Sequence, residues 1–465
     1  MFSAEIYQER RNQLIQRIQD KSGLLVFMGN EYCPMNYTDN TFPFRQDSSF
    51  LYYFGLDMAS LAAIIDLDSG TETLYGDDLT VEDIVWMGHQ PVMQERAQTC
   101  GISQTDSLEQ FSQVIQKAHR KQRPIHFLPQ YQSQNRIKLA RMLNCSDIAI
   151  DELVSEPFTR AVIAMRSIKS AEEIMQIEEA MQVTGKMHCL AMSMTQPGMT
   201  ENEVVAAMMQ TVLDQNCRMA FPVIFTRHGE ILHNHFSANR IEEHDLVIND
   251  SGAENPMHYA ADITRTIPAS GRFTPEQKPF YELVLDALNQ AVEKIAPAVS
   301  FRDIHLHACK VLTKGLVELG LMKGNPDDAV KQGAHALFFQ CGLGHMMGLD
   351  VHDMEGLNET WVGYSDSIKR SDQFGLRSLR LAKELEAGYV VTVEPGIYFI
   401  PPLIEQWQQQ NKCADFICYD KLKQYLHFGG IRIEDDVLVT QSGYKLLSGN
   451  IPKTIEDIEN LCSQS

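Results

Sequence analysis

Five residues in the C-terminal half of this chain have side chains that could hold metal ions, and each lies in a short, unusual segment. They are Asp250 in LVINDSGAE, Asp262 in YAADITRTIP, His345 in GLGHMMGLDVHD, Glu394 in VVTVEPGIY and Glu434 in GGIRIEDDVLVT. Four carboxylates and one imidazole form the ligand set that a pair of divalent ions requires, because anionic oxygens offset the repulsion between two cations and can bridge them. Packing alone does not explain this ordered set with its flanking glycines and prolines.

The two aspartates are expected to lie side by side. Asp250 ends the apolar segment LVIN, and Asp262 follows twelve residues later, just before ITRTIP. An antiparallel hairpin would place both carboxylates on one face. Without a cation, two adjacent carboxylates repel each other until one takes up a proton. The alternative is a turn aspartate and a second aspartate paired with Arg265, but the three other candidate ligands favour a metal site.

His345 lies in a glycine-rich segment, where small residues let the backbone and a ligand approach closely. A lone histidine there would more often be a hydrogen-bonded core residue, so its candidacy depends on the four carboxylates. His352 lies seven residues further on and is followed by Asp353, which could orient its ring. The two histidines therefore suit different roles, one as a metal ligand and the other in proton transfer or hydrogen bonding.

The two glutamates each follow an apolar run. Glu394 ends the run YVVTV, where a charge is costly unless it is paired or bound to metal. Glu434 follows GGIRI, and Arg432 shares its face of the predicted strand at a spacing of two. Asp435 and Asp436 are weaker candidates, because two consecutive aspartates are equally typical of a solvated strand edge.

Four other histidines form two pairs with a spacing of two residues. His305 and His307 are two apart in a predicted helix, so they do not face each other and are not expected to be ligands. His233 and His235 alternate across a predicted strand end, so only one of them is expected to point at the site.

Size and composition exclude several classes of function. The 465 residues suggest two domains, and the formal net charge of −21 argues against a nucleic-acid or anionic-membrane partner, which the surface would repel. We find no apolar signal core at the N-terminus and no apolar run long enough to span a bilayer. The ten cysteines form no C-x-x-C pair, which predicts reduced thiols in a cytoplasmic protein.

The first 160 residues alternate between helical and strand-like segments, which predicts a self-contained α/β domain. We predict helices at 5–21 and 107–121, a strand at 24–29, two strands within 61–76 joined by an Asp-Ser-Gly turn, and strand-like segments at 124–128 and 147–150.

A second domain, residues 161–465, is predicted to have an α+β architecture with helices outside and an antiparallel-rich sheet inside. Helix starts are marked by capping residues at Ser170 with Glu173, Thr200 with Glu203, and Thr274 with Gln277. Strand-like blocks are predicted at 221–226, 245–250, 258–267, 389–394 and 431–439. The five candidate ligands lie mainly in these blocks, so the chemistry is expected on the inner face of the sheet.

With these motifs, the chain resembles the pita-bread metallopeptidases, specifically aminopeptidase P and prolidase. FRQDSSFLYYFGL (44–56) is similar to the N-terminal domain of aminopeptidase P, and the segment from MRSIKSAEEI (165–174) onward is similar to the catalytic domain. The resemblance implies a pita-bread catalytic domain after a smaller α/β domain. It implies an Xaa-Pro aminopeptidase that hydrolyses the N-terminal bond preceding proline with a hydroxide activated by two divalent ions, most simply manganese given the oxygen-rich ligands. It also implies peptides with proline second as substrates and a homodimer or higher homo-oligomer.

Roles for individual residues follow from the same resemblance. Asp250 would chelate one metal, Asp262 and Glu434 would bridge both, and His345 and Glu394 would each ligate an ion. Glu394 also matches the general base. The remaining matches are His233, which contacts substrate near the scissile bond, His352, which assists proton transfer, Arg380, which receives a substrate carboxylate in prolidase, and Arg432, a strand arginine beside the site.

Two positions depart from the family pattern. The aspartates are twelve apart rather than the expected eleven, which indicates a small insertion in the hairpin. Cys341 stands before GLGH where a histidine is expected. The expected histidine lines the substrate pocket, so Cys341 is predicted to alter substrate contacts rather than metal binding.

Other functions stay open at this point. The N-terminal block favours aminopeptidase P, whereas Arg380 and its surroundings favour prolidase. A pita-bread protein that binds peptides or histones without catalysis, and a creatinase-like hydrolase, are disfavoured because such proteins lack the full metal ligand set.

Overall fold

The computed structural model describes residues 1–18, 21–449 and 451–463. The chain forms two compact units, one comprising Met1–Arg166 with Met354–Asn358, and the other comprising Ser167–Asp353 with Glu359–Ser465. The domain boundary between residues 160 and 161 stays a prediction. We found no helix in the described segments with both the length and the apolar character needed to cross a membrane.

In the residues that the structure describes, the Met1–Arg166 part of the first unit contains seven strands and seven α-helices that alternate along the chain, and the last of these helices ends one residue beyond the unit. The strands are β1 Leu24–Met28, β2 Pro34–Tyr37, β3 Asn40–Thr41, β4 Ala62–Asp66, β5 Thr71–Tyr75, β6 Gln104–Asp106 and β7 Ile125–Phe127. The helices are α1 Ala4–Arg17, α2 Ser48–Phe54, α3 Val81–Met87, α4 Met93–Thr99, α5 Leu108–Arg120, α6 Ser133–Met142, a 3-10 helix Ala149–Leu153 and α7 Glu156–Ser167.

The first unit is built on a five-stranded sheet of order β6-β5-β4-β1-β7. The strand β1 is buried along its whole length and pairs antiparallel with β4 and parallel with β7, with Val26 opposite Ile64 and Phe127. Helix α5 packs Phe111 and Ile115 into the same apolar core. This mixed sheet with its helices agrees with the predicted α/β domain.

The strand-like segment predicted at 147–150 is wrong, because the chain forms the 3-10 helix Ala149–Leu153 there. Ile148 is 80% exposed and Ile150 is fully buried. In a strand, residues two apart lie on one face and would share the same exposure. A helical turn separates them, and only Ile150 joins the core.

The second unit contains the remaining elements. Its strands are β8 Arg218–Met219, β9 Ile224–Thr226, β10 Leu246–Ser251, β11 Ala253–Glu254, β12 Ile263–Pro268, β13 Val390–Val393, β14 Gly396–Tyr398, β15 Gly430–Arg432, β16 Asp435–Val439 and β17 Tyr444–Leu446. Its helices are α8 Ala171–Met194, α9 Glu201–Asp214, α10 Gln277–Val292, α11 Phe301–Glu318, α12 Pro326–Lys331, α14 Pro401–Gln409, α15 Tyr419–Leu422 and α16 Ile455–Cys462, with 3-10 helices at Ala334–Leu337 and Lys423–Tyr425. The segment α13, Glu355–Gly363, is interrupted at Asn358.

The strands of the second unit pair antiparallel in small sheets of order β12-β10-β9, β13-β16-β17, β11-β8 and β14-β15. Long helices such as α8, α10 and α11 bury one face each and expose the other. The predicted α+β class is confirmed.

The predicted helix starts are also confirmed by their hydrogen bonds. The Ser170 hydroxyl accepts from the Glu173 amide at 3.3 Å, and the Ser170 amide donates to the Glu173 carboxylate at 3.1 Å. The Thr200 amide donates to Glu203 at 2.6 Å in the same way. Such reciprocal pairs satisfy amides that the first helical turn leaves without partners.

Candidate active site

The β10–β12 hairpin brings the two candidate aspartates to one face, as predicted. Asp250 lies opposite Thr264 in the register, and Asp262 precedes Thr264 by two residues on the same face. Gly252 makes the return of the chain possible, because a Cβ atom there would lie 1.7 Å from the Ala261 carbonyl oxygen. The sequence therefore requires glycine at this close approach.

His345 is held in one orientation by two backbone-anchored contacts. Its amide donates to the Thr392 hydroxyl at 3.1 Å, and its Nδ1 atom lies 3.0 Å from the Met346 carbonyl oxygen. Because Nδ1–H donates to that carbonyl, Nε2 keeps its lone pair and faces the carboxylates. Gly344 permits this placement, since a Cβ there would lie 2.1 Å from the Thr392 carbonyl oxygen.

The histidine and the carboxylates converge. Nε2 of His345 lies 3.4 Å from Oδ2 of Asp262 and 3.8 Å from Oε1 of Glu394. Ligand atoms of Asp262, His345 and Glu434 all lie within 4.8 Å of one another. These separations leave a space that one shared cation could fill by modest side-chain movement.

Strand ends position the two glutamates. Glu394 follows β13, and its amide donates to the Leu343 carbonyl at 2.7 Å. Glu434 lies between β15 and β16, where its amide donates to the Thr264 carbonyl and its side chain accepts from the Thr264 hydroxyl at 2.7 Å. The backbone of both residues is therefore fixed before any ligand binds.

Arg432 is the main counter-charge beside the carboxylates. Its guanidinium donates to Asp250 at 2.5 Å, to the Tyr398 hydroxyl at 3.0 Å and to the Thr264 hydroxyl at 3.2 Å. Each of the three partners accepts a hydrogen bond from a different nitrogen of the planar guanidinium group, a geometry that lysine cannot reproduce. Arg432 therefore orients Asp250 and neutralises part of the local charge.

One cavity of about 460 Å³ contains every site residue predicted from the sequence. Its predicted lining residues are Asp250, Asp262, His345, Glu394, Glu434, His233, His352, Arg380 and Arg432. The cavity also has lining residues that sequence reasoning did not select, among them Phe221, Ile224, Gln340, Ser378 and Tyr398. Neutral and apolar residues carry no spacing signal that marks them as site residues, so only their contact with the cavity identifies them.

The expectation that only one of His233 and His235 would point at the site is wrong. Both histidines line the cavity, and the segment that holds them is a turn followed by irregular chain rather than a strand. The alternation that would separate two such side chains applies only to extended pleated backbone. Burial lowers the pKa of His233, and the nearby Arg432 lowers it further.

His352 stacks on His345, with ring centroids 3.8 Å apart and planes inclined by 15°. The next residue, Asp353, accepts from the buried Lys169 ammonium at 2.9 Å. Cys341 lines the cavity as well, and burial together with the nearby Glu394 raises the pKa of its thiol to about 12. Cys341 is therefore a neutral group at the cavity wall.

The electrostatics of the cavity favour cations. Burial raises the pKa of Asp262, Glu394 and Glu434 above their ordinary values, and repulsion from neighbouring carboxylates adds to the effect at each. Oδ1 of Asp262 is buried without a hydrogen-bond partner among the described residues. A buried acceptor without a donor is costly, and a divalent cation would satisfy it and relieve the repulsion. The donor set therefore fits divalent metal ions.

The alternative interpretation of Asp435 and Asp436 as a solvated strand edge is excluded, because both side chains are fully buried. Asp435 accepts from Arg265 at 2.9 Å and Lys453 at 2.5 Å, and these cations lower its pKa although burial alone would raise it. Asp436 accepts from the Asp262 amide at 3.0 Å. The spacing of two between Glu434 and Asp436 could have indicated this supporting role, since it places both on one face.

Comparisons with known proteins agree with this site. The profile of "Metallopeptidase family M24" matches residues 175–441, more than half of the chain. The profile of "Aminopeptidase P, N-terminal domain" matches residues 7–126. The Xaa-Pro aminopeptidase of Haemophilus influenzae is 32% identical over 466 residues, which cover 98% of this chain and 97% of that protein. The Xaa-Pro dipeptidase of Rattus norvegicus is 30% identical and covers 97% of this chain and 92% of its own length.

Solved structures are similar over the whole chain. The aminopeptidase PepP of Pseudomonas aeruginosa has a TM-score of 0.82 at 26% identity, covering 100% of this chain and 98% of that chain. Proline aminopeptidase P II from Yersinia pestis has a TM-score of 0.81 at 26% identity, with 100% of both chains covered. These similarities confirm the pita-bread fold with its smaller N-terminal domain, and they confirm a hydrolase of the metallopeptidase class. The chain belongs to metallopeptidase family M24, in the branch that contains the Xaa-Pro aminopeptidases and dipeptidases.

Proposed function

We propose that this protein is an Xaa-Pro aminopeptidase, which removes the N-terminal residue from peptides with proline in the second position. The observation that carries the proposal is the convergence of four carboxylates and the His345 imidazole on one cavity. The full-length similarity to aminopeptidase P structures supports the choice of substrate.

The residues that would hold two divalent ions are Asp250, Asp262, His345, Glu394 and Glu434. When bound, the ions would supply a nucleophilic water at neutral pH and polarise the carbonyl of the scissile bond. Manganese is the proposed metal, because hard oxygen ligands outnumber the single imidazole.

Glu394 is the proposed proton carrier. Its carboxylate lines the cavity, with Oε1 3.8 Å from Nε2 of His345. A carboxylate positioned beside the reacting atoms can carry a proton between them. Glu394 would therefore take the proton from the attacking water and deliver it to the imino nitrogen of the departing proline.

The cavity histidines are proposed to bind the peptide around the scissile bond. His233 has a lowered pKa, so its neutral ring can offer one donor and one acceptor to the substrate backbone at neutral pH. His352 is fixed against His345 and can donate a hydrogen bond to the carbonyl oxygen as negative charge develops on it.

Prolidase activity is the second candidate, and Arg380 favours it. Arg380 lines the cavity and is close enough to lower the pKa of both His233 and Glu394. A guanidinium at this place could bind the carboxylate that follows proline in an Xaa-Pro dipeptide. Xaa-Pro dipeptidases are also among the relatives at about this level of identity.

A substrate-length series separates the two candidates. We would measure kcat/KM for an Xaa-Pro dipeptide, and for a tripeptide and a tetrapeptide that extend it, each with added Mn²⁺. Matched peptides with alanine in place of proline are the control. Aminopeptidase activity requires the longer Xaa-Pro peptides to be cleaved with release of the first residue. Cleavage of the dipeptide alone would establish prolidase, and cleavage of neither would refute both.

The cytoplasm and a homodimer or higher homo-oligomer are the proposed compartment and assembly. Ten cysteines without a C-x-x-C pair suit a reducing compartment. Light scattering coupled to size-exclusion chromatography tests the assembly, and a mass equal to one chain would refute it.

A further inference from the structure

A second group of metal-ligating side chains lies outside the catalytic cavity. His305 and Cys309 are four residues apart on α11 and therefore share one face of the helix. His335 belongs to the 3-10 helix Ala334–Leu337. The Cys309 sulfur lies 3.3 Å from Nε2 of His305, and ligand atoms of all three residues lie within 4.8 Å of one another.

This His-Cys-His cluster, made of His305, Cys309 and His335, is buried and poorly satisfied. The three residues are at most 2% exposed. Among the described residues, Nδ1 of His305 and both ring nitrogens of His335 lack a hydrogen bond of normal geometry. Buried polar atoms without partners are unfavourable. A metal ion, which accepts electron pairs from nitrogen and sulfur, would give one ring nitrogen of each histidine a partner.

We propose that His305, Cys309 and His335 bind one soft transition-metal ion, of which Zn²⁺ is the leading case, separate from the carboxylate centre. Imidazole and thiolate ligands select such ions over manganese or magnesium. Zinc bond lengths of about 2.3 Å to sulfur and about 2.0–2.1 Å to nitrogen imply a tetrahedral S···N separation of about 3.5 Å. The observed 3.3 Å between Cys309 and His305 is close to that value.

The protonation states suit metal uptake. Burial lowers the pKa of His305 to about 3 and of His335 to about 4, although the Val330 carbonyl raises the latter slightly. Both rings are therefore neutral at pH 7, with lone pairs available. Burial raises the pKa of Cys309, so its thiol is neutral until a metal binds. Binding breaks the S–H bond, forms the S–metal bond and releases one proton to solvent per ion.

The cluster revises the treatment of His305 as a non-ligand. The expectation that His305 and His307 do not face each other agrees with the structure, in which His307 contacts Gln290 at 3.1 Å. The partner of His305 is Cys309, one helical turn away. His335 comes from a segment 26 residues further on, so no local spacing in the sequence indicated it.

X-ray absorption of the zinc-loaded full chain tests the proposal. The five carboxylate-centre residues contain no sulfur, so a Zn–S distance of about 2.3 Å that depends on Cys309 reports the His-Cys-His cluster. We expect this signal in the unmodified protein, its loss in Cys309→Ser, and its retention in Cys100→Ser, an equally buried thiol in the first unit. A spectrum with only nitrogen and oxygen neighbours, or a sulfur signal that survives Cys309→Ser, would overturn the proposal.

Cobalt provides a second measurement if Cys309→Ser does not fold. The unmodified protein loaded with Co²⁺ should show thiolate-to-cobalt charge-transfer absorption, which should weaken in His335→Ala. Glu434→Gln should reduce metal in the carboxylate centre and leave this absorption unchanged, so failure of the proposed function and failure of this site give different results. Absence of the absorption in cobalt-loaded unmodified protein would refute the site.

Discussion

Nε2 of His345 lies 3.4 Å from Oδ2 of Asp262, and both side chains are buried. The imidazole is anchored through Nδ1 to the Met346 carbonyl, so the atom that faces Asp262 is an electron-pair donor. Two lone-pair-bearing atoms that face each other without a proton between them repel each other, and a cation between them removes that repulsion. This relationship is the structural reason for placing a metal at the junction of the two candidate ligands.

Glu434→Ala should reduce turnover at least tenfold, which corresponds to about 1.4 kcal/mol of barrier. The variant removes a carboxylate that the Thr264 hydroxyl and backbone hold in place, which leaves the centre one ligand short. Steady-state kinetics with circular dichroism would show the loss in a folded protein. Glu405→Ala, at an exposed glutamate of α14, is the control and should be unaffected. Retention of more than a tenth of turnover would exclude Glu434 as a metal ligand.

Arg380→Lys should weaken cleavage of Xaa-Pro dipeptides tenfold or more and affect longer peptides less. Only the dipeptide places a carboxylate directly after proline, and loss of a charge-assisted pair typically costs about 2–5 kcal/mol. Arg377→Lys, at an exposed arginine that stacks on Phe374, is the matched control. Equal losses on both substrates would show that Arg380 is structural and would remove the best support for prolidase activity.

His188 should make the metal-free protein sensitive to acid. Burial lowers its pKa from 6.5 to about 3, while Nε2 donates to the Ser251 carbonyl at 3.0 Å and Nδ1 accepts from Asn249 at 3.1 Å. The unfolded chain therefore binds a proton below pH 6.5 that the folded chain does not. The stability is present above pH 6.5 and decreases as the pH falls toward 3.

Urea unfolding in the presence of a chelator measures this effect. Between pH 7 and pH 5, His188 should account for about 2 kcal/mol of lost unfolding free energy. The His188→Gln variant should lose that much less over the same interval. His119→Gln, at an exposed histidine of α5, should behave like the unmodified protein. The same pH dependence in all three proteins would contradict the assignment.

Lys169→Met should destabilise the second unit by about 3–5 kcal/mol, because it leaves Asp353 buried without its cation. The Lys169 ammonium lies 2.9 Å from Asp353, and the two side chains are only 1% and 2% exposed. The double variant Lys169→Met/Asp353→Leu should recover part of the loss, since replacing a whole buried pair costs less than breaking it. The account would be refuted if the double variant lost more unfolding free energy than Lys169→Met and Asp353→Leu lose when their separate losses are added.

Local signals predicted much of the fold. Apolar runs such as LLVFM predicted the buried inner strand β1, and the pairs Ser170 with Glu173 and Thr200 with Glu203 marked the starts of α8 and α9. These features depend on neighbours within a few residues, so the sequence shows them directly. The convergence of five distant candidate ligands on one cavity was predicted from their chemistry, and their roles as ligands stay a prediction.

Features that depend on distant partners were not predictable in the same way. Asp435 is buried because Arg265 and Lys453 neutralise it, and both come from other parts of the chain. His233 and His235 share the cavity because their segment forms a turn whose shape is set by its surroundings. A pattern of residue types along the chain does not contain this tertiary information.

Titration of chelator-stripped protein with Mn²⁺ tests the central claim most directly, with metal content and cleavage of an Xaa-Pro tetrapeptide measured on the same samples. Mn²⁺ prefers oxygen ligands and should therefore not bind to the His-Cys-His cluster. We predict no cleavage without metal, activity that rises with bound Mn²⁺, and a plateau at about two ions per chain. Full activity in the stripped protein, or recovery of activity without uptake of metal, would contradict a metal-dependent centre built on these five residues.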